Sequence, residues 1–545
     1  MRSFLTICLI LLSLKFIGAQ EYNLIFDRFQ YNLLDEALNK KGSSIHTAVK
    51  PFRMSEILQI ANPDTITGAT LPDKKFYRSL VGRKIFTENL FKLEKEDVQV
   101  YLDPLFSFEA GQDRYLSRNT WTNSRGVQVQ GTIGKKVSFY SSFWENQAIM
   151  VNYVDSFVKK NNVVPGQGRV KPFGDSGYDY AFASGYISYT PTKHFNFQLG
   201  NDKNFIGDGY RSLLLSDNAL NYPYFKISTN FWKIKYTNLF MAWQNIGNAS
   251  NSGVGGYLQK FSTMHHLSYN ATPWLNVGLF ESIIWQGGDT TGARRGFDPN
   301  YLNPIIFYRP VEFSRGSPDN VLIGFNLKAL ILKKYQLYGQ VVLDEFSLKE
   351  VKAGNGWWAN KQGFQVGWKF YRFLGIKNLT WQNELNVVRP YTYGHFTNEQ
   401  SYTHFAQPMA HPLGANFIEN VQFLRWQYKR FGVEAKFILA KYGADSLKTN
   451  GTFSNYGQNI FQGTAEIVGG PTEVPSIYGN KLLQGVEQTV MYTDLNLSYL
   501  INPRIGMRIE LSLSRRTQEN FAGAQNTTWA FFTFRTNLPN RYYDF

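Results

Sequence analysis

The sequence has 545 residues, a formal net charge of +16 and a mean hydropathy of −0.31, which is too polar for an α-helical membrane protein. Its single cysteine excludes a disulfide framework and a thiolate zinc site. Aromatic residues make up 16% of the chain. Soluble sandwiches and the aromatic girdles of membrane barrels both show such enrichment, so composition alone leaves the fold open.

The first predicted element is a secretory signal peptide at residues 1–19. Arg2 precedes an apolar run of roughly a dozen residues, which is too short for a spanning helix. Small residues at 17–19 follow the run and provide a cleavage site. We therefore expect an exported mature chain that begins at Gln20. Because Cys8 lies within the signal, the mature chain would contain no cysteine.

Residues 20–97 show no strand-like alternation. Within them, residues 74–93 place apolar side chains such as Phe76, Leu80 and Ile85 at helical spacing between lysines and arginines. We expect this region to form a helical periplasmic cap or plug that leads into the first strand.

From residue 98 onward, apolar and polar residues alternate as they do in β-strands with one apolar face. In residues 504–514, Ile509 and Leu511 are apolar, whereas Arg508 and Glu510 occupy the opposite face. Many segments run about 10–13 residues, long enough to cross a bilayer when tilted, whereas soluble strands average roughly 5–6. Because the charged residues fall on one face of these strands and the apolar residues on the other, the sequence predicts a polar lumen and a lipid-facing exterior.

The fold class predicted for residues 98–545 is all-β, a transmembrane outer-membrane β-barrel of about 18 antiparallel strands. The expected strands are 98–110, 124–133, 137–149, 179–190, 194–201, 224–231, 233–244, 261–270, 274–285, 321–332, 335–346, 362–372, 377–388, 419–428, 431–442, 487–500, 504–515 and 527–537. Short turns alternate with long stretches, which places the turns in the periplasm and long loops outside the cell. Phe545 suggests the terminal aromatic of a final strand, although Pro539 interrupts that run.

Two groups of loop residues are candidate ligand-binding sites. Residues 200–218 are rich in glycine and charge, and the candidates there are Asp202, Lys203, Asp208 and Arg211. The second group combines a guanidinium, carboxylates and aromatic faces, the parts of a sugar site; its members are Arg309, Glu312, Asp344, Glu345, Trp357 and Trp358. Lumen ion pairs and girdle tryptophans are the alternative interpretation of both groups.

The sequence gives no support for catalysis. Asp344 and Glu345 are neighbours and would point to opposite faces of a strand, which disfavours a glycosidase pair. His395, His404 and His411 match no common metal-ligand spacing, and no nucleophile-elbow motif is present. We therefore expect a protein that is not an enzyme and that uses no metal or cofactor.

Several motifs resemble those of one family. Residues 207–218, GDGYRSLLLSDN, resemble a motif of the Wzi-type capsule-assembly barrels. Further motifs are similar to the RemB-type gliding-motility proteins of the Bacteroidetes, which belong with the Wzi-like barrels; they are NP at 303–304, YRPVEF at 308–313, SPDN at 317–320, DEF at 344–346 and HPLGAN at 411–416. The resemblance covers most of the chain after the N-terminal region. It implies a plugged 18-stranded barrel with a helical periplasmic portion.

The resemblance also implies a non-catalytic surface protein that serves gliding motility, the binding and organisation of capsular polysaccharide, or both. No polysaccharide-contact set matches residue by residue. The expected partners are outer-membrane lipid and lipopolysaccharide, surface polysaccharide, and the gliding or secretion machinery; nucleic acid is not expected for an exported chain. The alternative function is a transport pore for small solutes, motivated by charged lumen positions such as Arg508 and Glu434.

Overall fold

The computed structural model describes residues 21–40, 45–61, 75–246, 257–288, 295–307, 319–332, 334–447, 453–463 and 477–545. The predicted signal peptide and Gln20 lie outside these ranges. Among the described residues, no helix is long and apolar enough to cross a lipid bilayer.

Eighteen long strands in the described residues pair antiparallel and close into a barrel, as predicted. They are β1 (Val98–Asp113), β2 (Arg118–Ile133), β3 (Val137–Ile149), β4 (Gly177–Thr192), β5 (Phe195–Asp202), β6 (Tyr222–Phe231), β7 (Ile234–Asn245), β8 (Leu258–Thr272), β9 (Leu275–Gln286), β10 (Asn320–Ile331), β11 (Tyr335–Leu343), β12 (Gln362–Tyr371), β13 (Leu379–Val388), β14 (Phe417–Tyr428), β15 (Phe431–Ala444), β16 (Val486–Asn502), β17 (Met507–Asn520) and β18 (Gly523–Arg535). β18 closes the barrel by pairing with β1. The short strands Phe91–Lys95 and Lys171–Phe173 pair beside β1 and β4.

Side chains on the strands alternate between an apolar exterior and a polar lumen. On β17, Leu511 and Leu513 are 56% and 53% exposed, whereas Ser512 and Ser514 are buried. Outward leucines of this kind meet acyl chains in a membrane. Ile505 and Met507 continue the apolar phase of Ile509 in the predicted strand 504–515, but both are buried. Residues 503–506 form a turn, and Met507 is the first residue of β17.

The two ends of the barrel differ in the length of their connections. Turns such as 134–136, 193–194 and 429–430 lie at one end, which we call the turn end. Loops such as 150–176 and 389–416 lie at the other, which we call the loop end. The alternation of lengths is not strict, since the hairpins 114–117 and 521–522 at the loop end are also short. Their flanking strands extend several residues further than predicted.

The described residues before the barrel form two separate units. Residues 21–40 and 45–61, called the N-terminal segment, contain α1 (Arg28–Lys40) and α2 (Met54–Leu58). The two helices pack around a small apolar core because α1 repeats its apolar residues every three or four positions; the core contains Tyr31, Leu34, Leu38, Phe52 and Ile57. The segment also pairs Val49–Lys50 with Phe205–Ile206 inside the lumen.

The predicted amphipathic helix at residues 74–93 is wrong in extent. The chain forms two short helices, α3 (Lys75–Arg78) and α4 (Leu80–Phe86), and then the strand Phe91–Lys95. The helix ends early because residues 91–95 have the alternation of a strand and pair with β1.

Residues 536–545 leave the sheet and enter the lumen, which contradicts the placement of Phe545 on a final strand. β18 ends at Arg535, and Pro539 lacks the N–H group that a continued ladder requires. Residues 536–545, called the tail, are held inside by side chains of the wall, since the Arg516 guanidinium donates to a backbone oxygen of Phe545 at 2.9 Å.

Two more helices lie in loop-end connections, α5 (Asn152–Asn161) and α6 (Leu348–Ala353).

Leu513→Arg tests the assigned exterior. A charge turned toward lipid at mid-bilayer costs about 2–4 kcal/mol, so we expect the free energy of unfolding in vesicles to fall by about that amount. The midpoint of a urea titration, followed by heat-modifiable gel mobility, measures it. Leu513→Phe is the apolar control. Equal midpoints for the arginine and phenylalanine variants would contradict a lipid-facing position.

Candidate functional site

The first predicted group lies in the lumen, where each side chain contacts other residues of the protein. Lys203 donates to the carbonyls of Gly166 and Asp217 at 2.7 and 3.0 Å, and burial lowers its pKa to about 8. Asp202 caps the backbone N–H of Lys203 at 2.8 Å. Asp208 accepts a hydrogen bond from the Thr47 hydroxyl at 2.5 Å. All three side chains therefore make internal contacts in the lumen.

Arg211, the fourth member, is the centre of a buried ionic network. Its guanidinium contacts the carboxylates of Glu419 and Asp544 at 3.0 and 3.1 Å, and all three side chains are almost fully buried. Glu384 accepts the backbone N–H of Arg211 at 3.0 Å. Lys436 pairs with Asp544 at 2.8 Å. The network thus joins the segment after β5, the wall strands and residues 536–545.

The segment 203–221 fills the lumen because its central residues are apolar. Leu213, Leu214 and Leu215 are fully buried in the largest apolar cluster of the described chain. The hydroxyls of Tyr393 and Tyr402 donate to the carbonyls of Leu213 and Leu214 at 2.8 and 2.7 Å. Since Tyr393 and Tyr402 come from the β13–β14 loop, two loops fold inward together.

The N-terminal segment is joined to the turn end of the barrel wall by ion pairs of one polarity. In each pair the segment supplies the carboxylate and the wall supplies the cation: Asp27–Arg508 at 2.8 Å, Asp35–Lys369 at 2.7 Å, Glu36–Arg372 at 3.0 Å and Glu56–Lys235 at 2.9 Å. Burial by itself raises the pKa of Glu56, but Lys235 and Arg53 hold that pKa far below its usual value.

Space remains in the lumen beside the N-terminal segment. One cavity of about 330 Å³ is lined by Arg28 of α1 and by wall residues such as Arg425 and Glu434. A second cavity of about 450 Å³ lies against residues such as Leu34 and Tyr101. Both adjoin the N-terminal segment, and Tyr210 of the segment 203–221 also lines the first cavity.

The second predicted group lies at the loop end and is only partly brought together. Asp344 and Glu345 form the base of the β11–β12 loop, where Asp344 accepts the backbone N–H of Tyr393 at 2.7 Å. Burial raises the pKa of Asp344 to about 7 although the Lys361 ammonium lies 3.9 Å away. Arg309 and Glu312 lie outside the described residues.

Trp357 and Trp358 lie further along the same loop and are half-buried. The backbone N–H of Trp358 donates to the carbonyl of Ile477 at 3.0 Å, which fastens the loop to residues 477–480. Phe346 and Tyr478 are 45% and 49% exposed. We call Phe346, Trp357, Trp358 and Tyr478 the loop-end aromatic surface.

The three loop histidines are held apart in separate hydrogen bonds. His411 contacts Glu419 at 2.7 Å, His395 contacts Gln400 at 3.0 Å, and His404 accepts the backbone N–H of Gln244 at 3.0 Å. Within the described ranges, no group of three or more His, Cys, Asp or Glu side chains is arranged to hold a metal ion.

The sequence reasoning missed the partners of Arg211. Glu419 and Glu384 lie on the inward phase of β14 and β13, and Asp544 lies in the tail. The sequence did show charged residues on the inward face of the strands, and a buried charge requires an opposite charge nearby. The alternation of apolar and polar residues does not show which residue of another segment supplies that opposite charge.

No protein-family model matches this sequence, and no curated protein matches it either. Among solved structures, the chain is similar to Wzi, described as an outer-membrane protein involved in group 1 capsule assembly in Escherichia coli and a carbohydrate-binding β-barrel. The identity is 13% and the TM-score is 0.53, over 95% of this chain and 100% of Wzi. This similarity shows the fold. The protein is an outer-membrane β-barrel.

Two other solved structures are similar with lower TM-scores. OprD of Pseudomonas aeruginosa is 10% identical, with a TM-score of 0.41 over 81% of this chain and 96% of OprD. OccAB2 of Acinetobacter baumannii is 9% identical, with a TM-score of 0.42 over 80% of this chain and 97% of OccAB2.

Asp544→Asn tests the ionic network through pH. Burial raises the pKa of Asp544, but Arg211 and Lys436 lower it more, so its folded pKa lies below the usual 3.8. A lowered folded pKa gives stability that is present above pH 4 and is lost as pH falls through the folded value. We expect the variant to lose about 1–3 kcal/mol of unfolding free energy at pH 7.

Equilibrium unfolding in detergent, followed by tryptophan fluorescence from pH 7 to pH 2, measures this effect. The gap between wild type and variant should close as the pH drops below 4. Asp175→Asn, at an exposed carboxylate, is the matched control and should leave the curve unchanged. A gap that stays constant with pH would show that the charge of Asp544 contributes nothing.

Proposed function

We propose that this protein is a plugged, non-catalytic barrel that binds surface polysaccharide through the loop-end aromatic surface. In the cell it would serve gliding motility, capsule organisation or both, as the resemblance to the RemB-type and Wzi-type motifs suggests. The proposal includes a signal peptide at residues 1–19, a helical periplasmic cap or plug region at residues 20–97, whose strand Phe91–Lys95 pairs with β1, and a barrel at residues 98–545. Its ligands are surface polysaccharide and outer-membrane lipid, and the gliding or secretion machinery is a proposed partner.

The observation that carries this proposal is a rigid, partly exposed tryptophan pair outside the lumen. The ring of Trp358 meets that of Tyr391 edge-on, with 6.1 Å between centroids, and Lys361 Nζ lies 5.3 Å from the Trp358 ring. The backbone N–H of Trp357 donates to the Asn355 side chain at 3.1 Å. Aromatic side chains held this way offer apolar faces to sugar C–H groups at low entropic cost.

Polar groups beside the tryptophans supply the second requirement of a sugar site. Asn355 donates from its side chain to Glu350 of α6, and Asn480 donates to the carbonyl of Gly356 at 3.2 Å. Amides and carboxylates of this kind exchange hydrogen bonds with sugar hydroxyls. The similarity to a carbohydrate-binding barrel supports the same class of ligand by analogy of fold.

A transport pore for small solutes is the alternative function. The two cavities beside the N-terminal segment and the charged lumen favour it. The contacts of Leu213–Leu215 and Arg211 oppose it, because a solute crossing the lumen would have to displace a buried apolar cluster and its ion pairs. We therefore rank polysaccharide binding first.

Removing both tryptophans, as Trp357→Ala with Trp358→Ala, should weaken glycan binding. Stacking aromatics contribute roughly 1 kcal/mol or more each, so we expect a loss of at least about tenfold in affinity. Binding of purified barrel to capsular polysaccharide from the producing strain, or to a glycan array, measures it. The same double variant on the chromosome should retain less capsule and spread less on agar.

Trp274→Ala is the matched control, since Trp274 is 51% exposed at the turn end. It should bind glycan like the wild type. Heat-modifiable mobility identical to wild type would show that the double variant still folds. Unchanged glycan binding by a folded double variant, or no glycan binding by the wild type, would contradict the proposed function.

A further inference from the structure

Residues 75–95 carry apolar side chains on the outside of the protein at the turn end. In α3 and α4, Phe76, Leu80 and Val81 are 55%, 64% and 60% exposed, and Phe91 in the following strand is 53% exposed. Soluble surfaces rarely gather large apolar side chains in this density, and such patches mark contact surfaces. These side chains belong neither to the segment 203–221 in the lumen nor to the loop-end aromatic surface.

The register of the strand Phe91–Lys95 shows which way its apolar side chains point. Phe91 pairs with Leu102 and Leu93 with Val100, so they share one face of the sheet. Leu102 is on the exterior, at 37% exposure, like the outward leucines of the barrel. The opposite face of the same strand carries Glu94, which accepts a hydrogen bond from the buried Tyr101 at 2.8 Å. The apolar face is thus continuous with the lipid-facing exterior.

The strand Phe91–Lys95 also pairs with the part of β1 that β18 does not reach. β18 pairs with β1 only between Asp113 and Ser107, and then the chain turns into the lumen. The strand Phe91–Lys95 takes up pairing with β1 from Leu102 to Val98. Its apolar face therefore completes the outer wall at the turn end.

The helices before this strand are fixed to the rim of the barrel. The Asn502 side chain, at the end of β16, donates to the carbonyls of Lys84 and Glu88 at 3.1 and 2.9 Å. Gly82 packs so closely on the backbone of α3 that a Cβ atom there would lie 2.0 Å from the carbonyl oxygen of Phe76. Because α3 and α4 form one compact hairpin, the exposed apolar residues keep a fixed orientation at the rim.

The same segment is strongly basic. Residues 75–95 contain six Lys or Arg residues and two Glu residues. Lys75, Arg78 and Arg83 lie on exposed parts of α3 and α4, next to Phe76 and Leu80. Arg83 also pairs with Glu88 at 3.3 Å, and about half of its side chain remains exposed. Apolar side chains flanked by cations are the composition of segments that lie in a membrane interface and attract anionic lipid headgroups.

We propose that residues 75–95 lie in the membrane interface at the turn end, with Phe76, Leu80, Val81 and Phe91 among the acyl chains and Lys75, Arg78 and Arg83 on anionic phospholipid headgroups. The turn end of a bacterial barrel faces the periplasm, so the lipid belongs to the inner leaflet of the outer membrane. Residues 75–95 would thus attach to the membrane the same end of the barrel to which the N-terminal segment is joined by ion pairs. This inference does not depend on glycan binding.

A fluorescent label at Leu80→Cys in the full chain tests the proposal, in a Cys8→Ser background that removes the single native cysteine. The barrel is reconstituted in phosphatidylglycerol–phosphatidylcholine vesicles that contain lipid spin-labelled near the headgroup. We expect blue-shifted emission and strong quenching of an NBD dye at position 80. The control is Lys193→Cys, in an exposed turn of the same end, whose label should remain water-exposed and weakly quenched.

Two further sets of measurements test whether the segment requires anionic lipid headgroups. Quenching at position 80 should decrease in pure phosphatidylcholine and in high salt, and the triple change Lys75→Gln, Arg78→Gln and Arg83→Gln should remove that dependence. Labels at positions 80 and 193 that behave alike would overturn the membrane contact. Strong quenching that is equal in both lipids would overturn the role of anionic headgroups. Heat-modifiable mobility of each variant shows that the barrel itself has folded.

Discussion

The Arg211 guanidinium, buried in the lumen between Glu419 and Asp544, connects three parts of the chain that are far apart in sequence. A buried charge is expensive unless its partners are placed well, and removing one partner leaves an uncompensated ion. This requirement makes the position of the segment 203–221, of β14 and of residues 536–545 mutually dependent. Around Arg211 the lumen is consequently occupied by the chain itself.

The exterior and the interior of the barrel follow from one sequence property, the two-residue period of the strands. Leucines such as Leu511 and Leu513 take the outward phase, and Ser512 takes the inward phase. Strand number, strand order and antiparallel pairing could therefore be predicted from alternation and segment length. Strand ends were less accurate, as β17 shows, because a turn such as 503–506 can also contain apolar residues that pack inward.

The candidate site was harder to predict for a physical reason. Asp202, Lys203, Asp208 and Arg211 look like exposed loop charges in the sequence, yet the structure uses all four as internal contacts. Whether a charged loop turns inward depends on complementary charges in distant segments, such as Asp544 beyond Pro539. No local pattern contains that information. Trp357 and Trp358, by contrast, remain at the surface, where their residue type alone suggested a sugar contact.

The two ends of the molecule have different chemistry. The loop end presents ordered aromatic side chains beside amides, whereas the turn end combines carboxylates of the N-terminal segment with cations of the wall, for example Asp27 with Arg508 at 2.8 Å. The aromatic side chains of the loop end and the ion pairs of the turn end belong to different parts of the chain. The segment 203–221 and the Arg211 network lie between them in the lumen.

We infer that the chain's own segments close the lumen. Planar-bilayer recording of the purified full-length barrel measures this closure. We expect membranes that contain the protein, shown by recovery of folded barrel, but that show no stepwise ionic current. Stable single-channel steps from the wild-type barrel would contradict it, because they require a continuous water path past Arg211 and Leu213–Leu215.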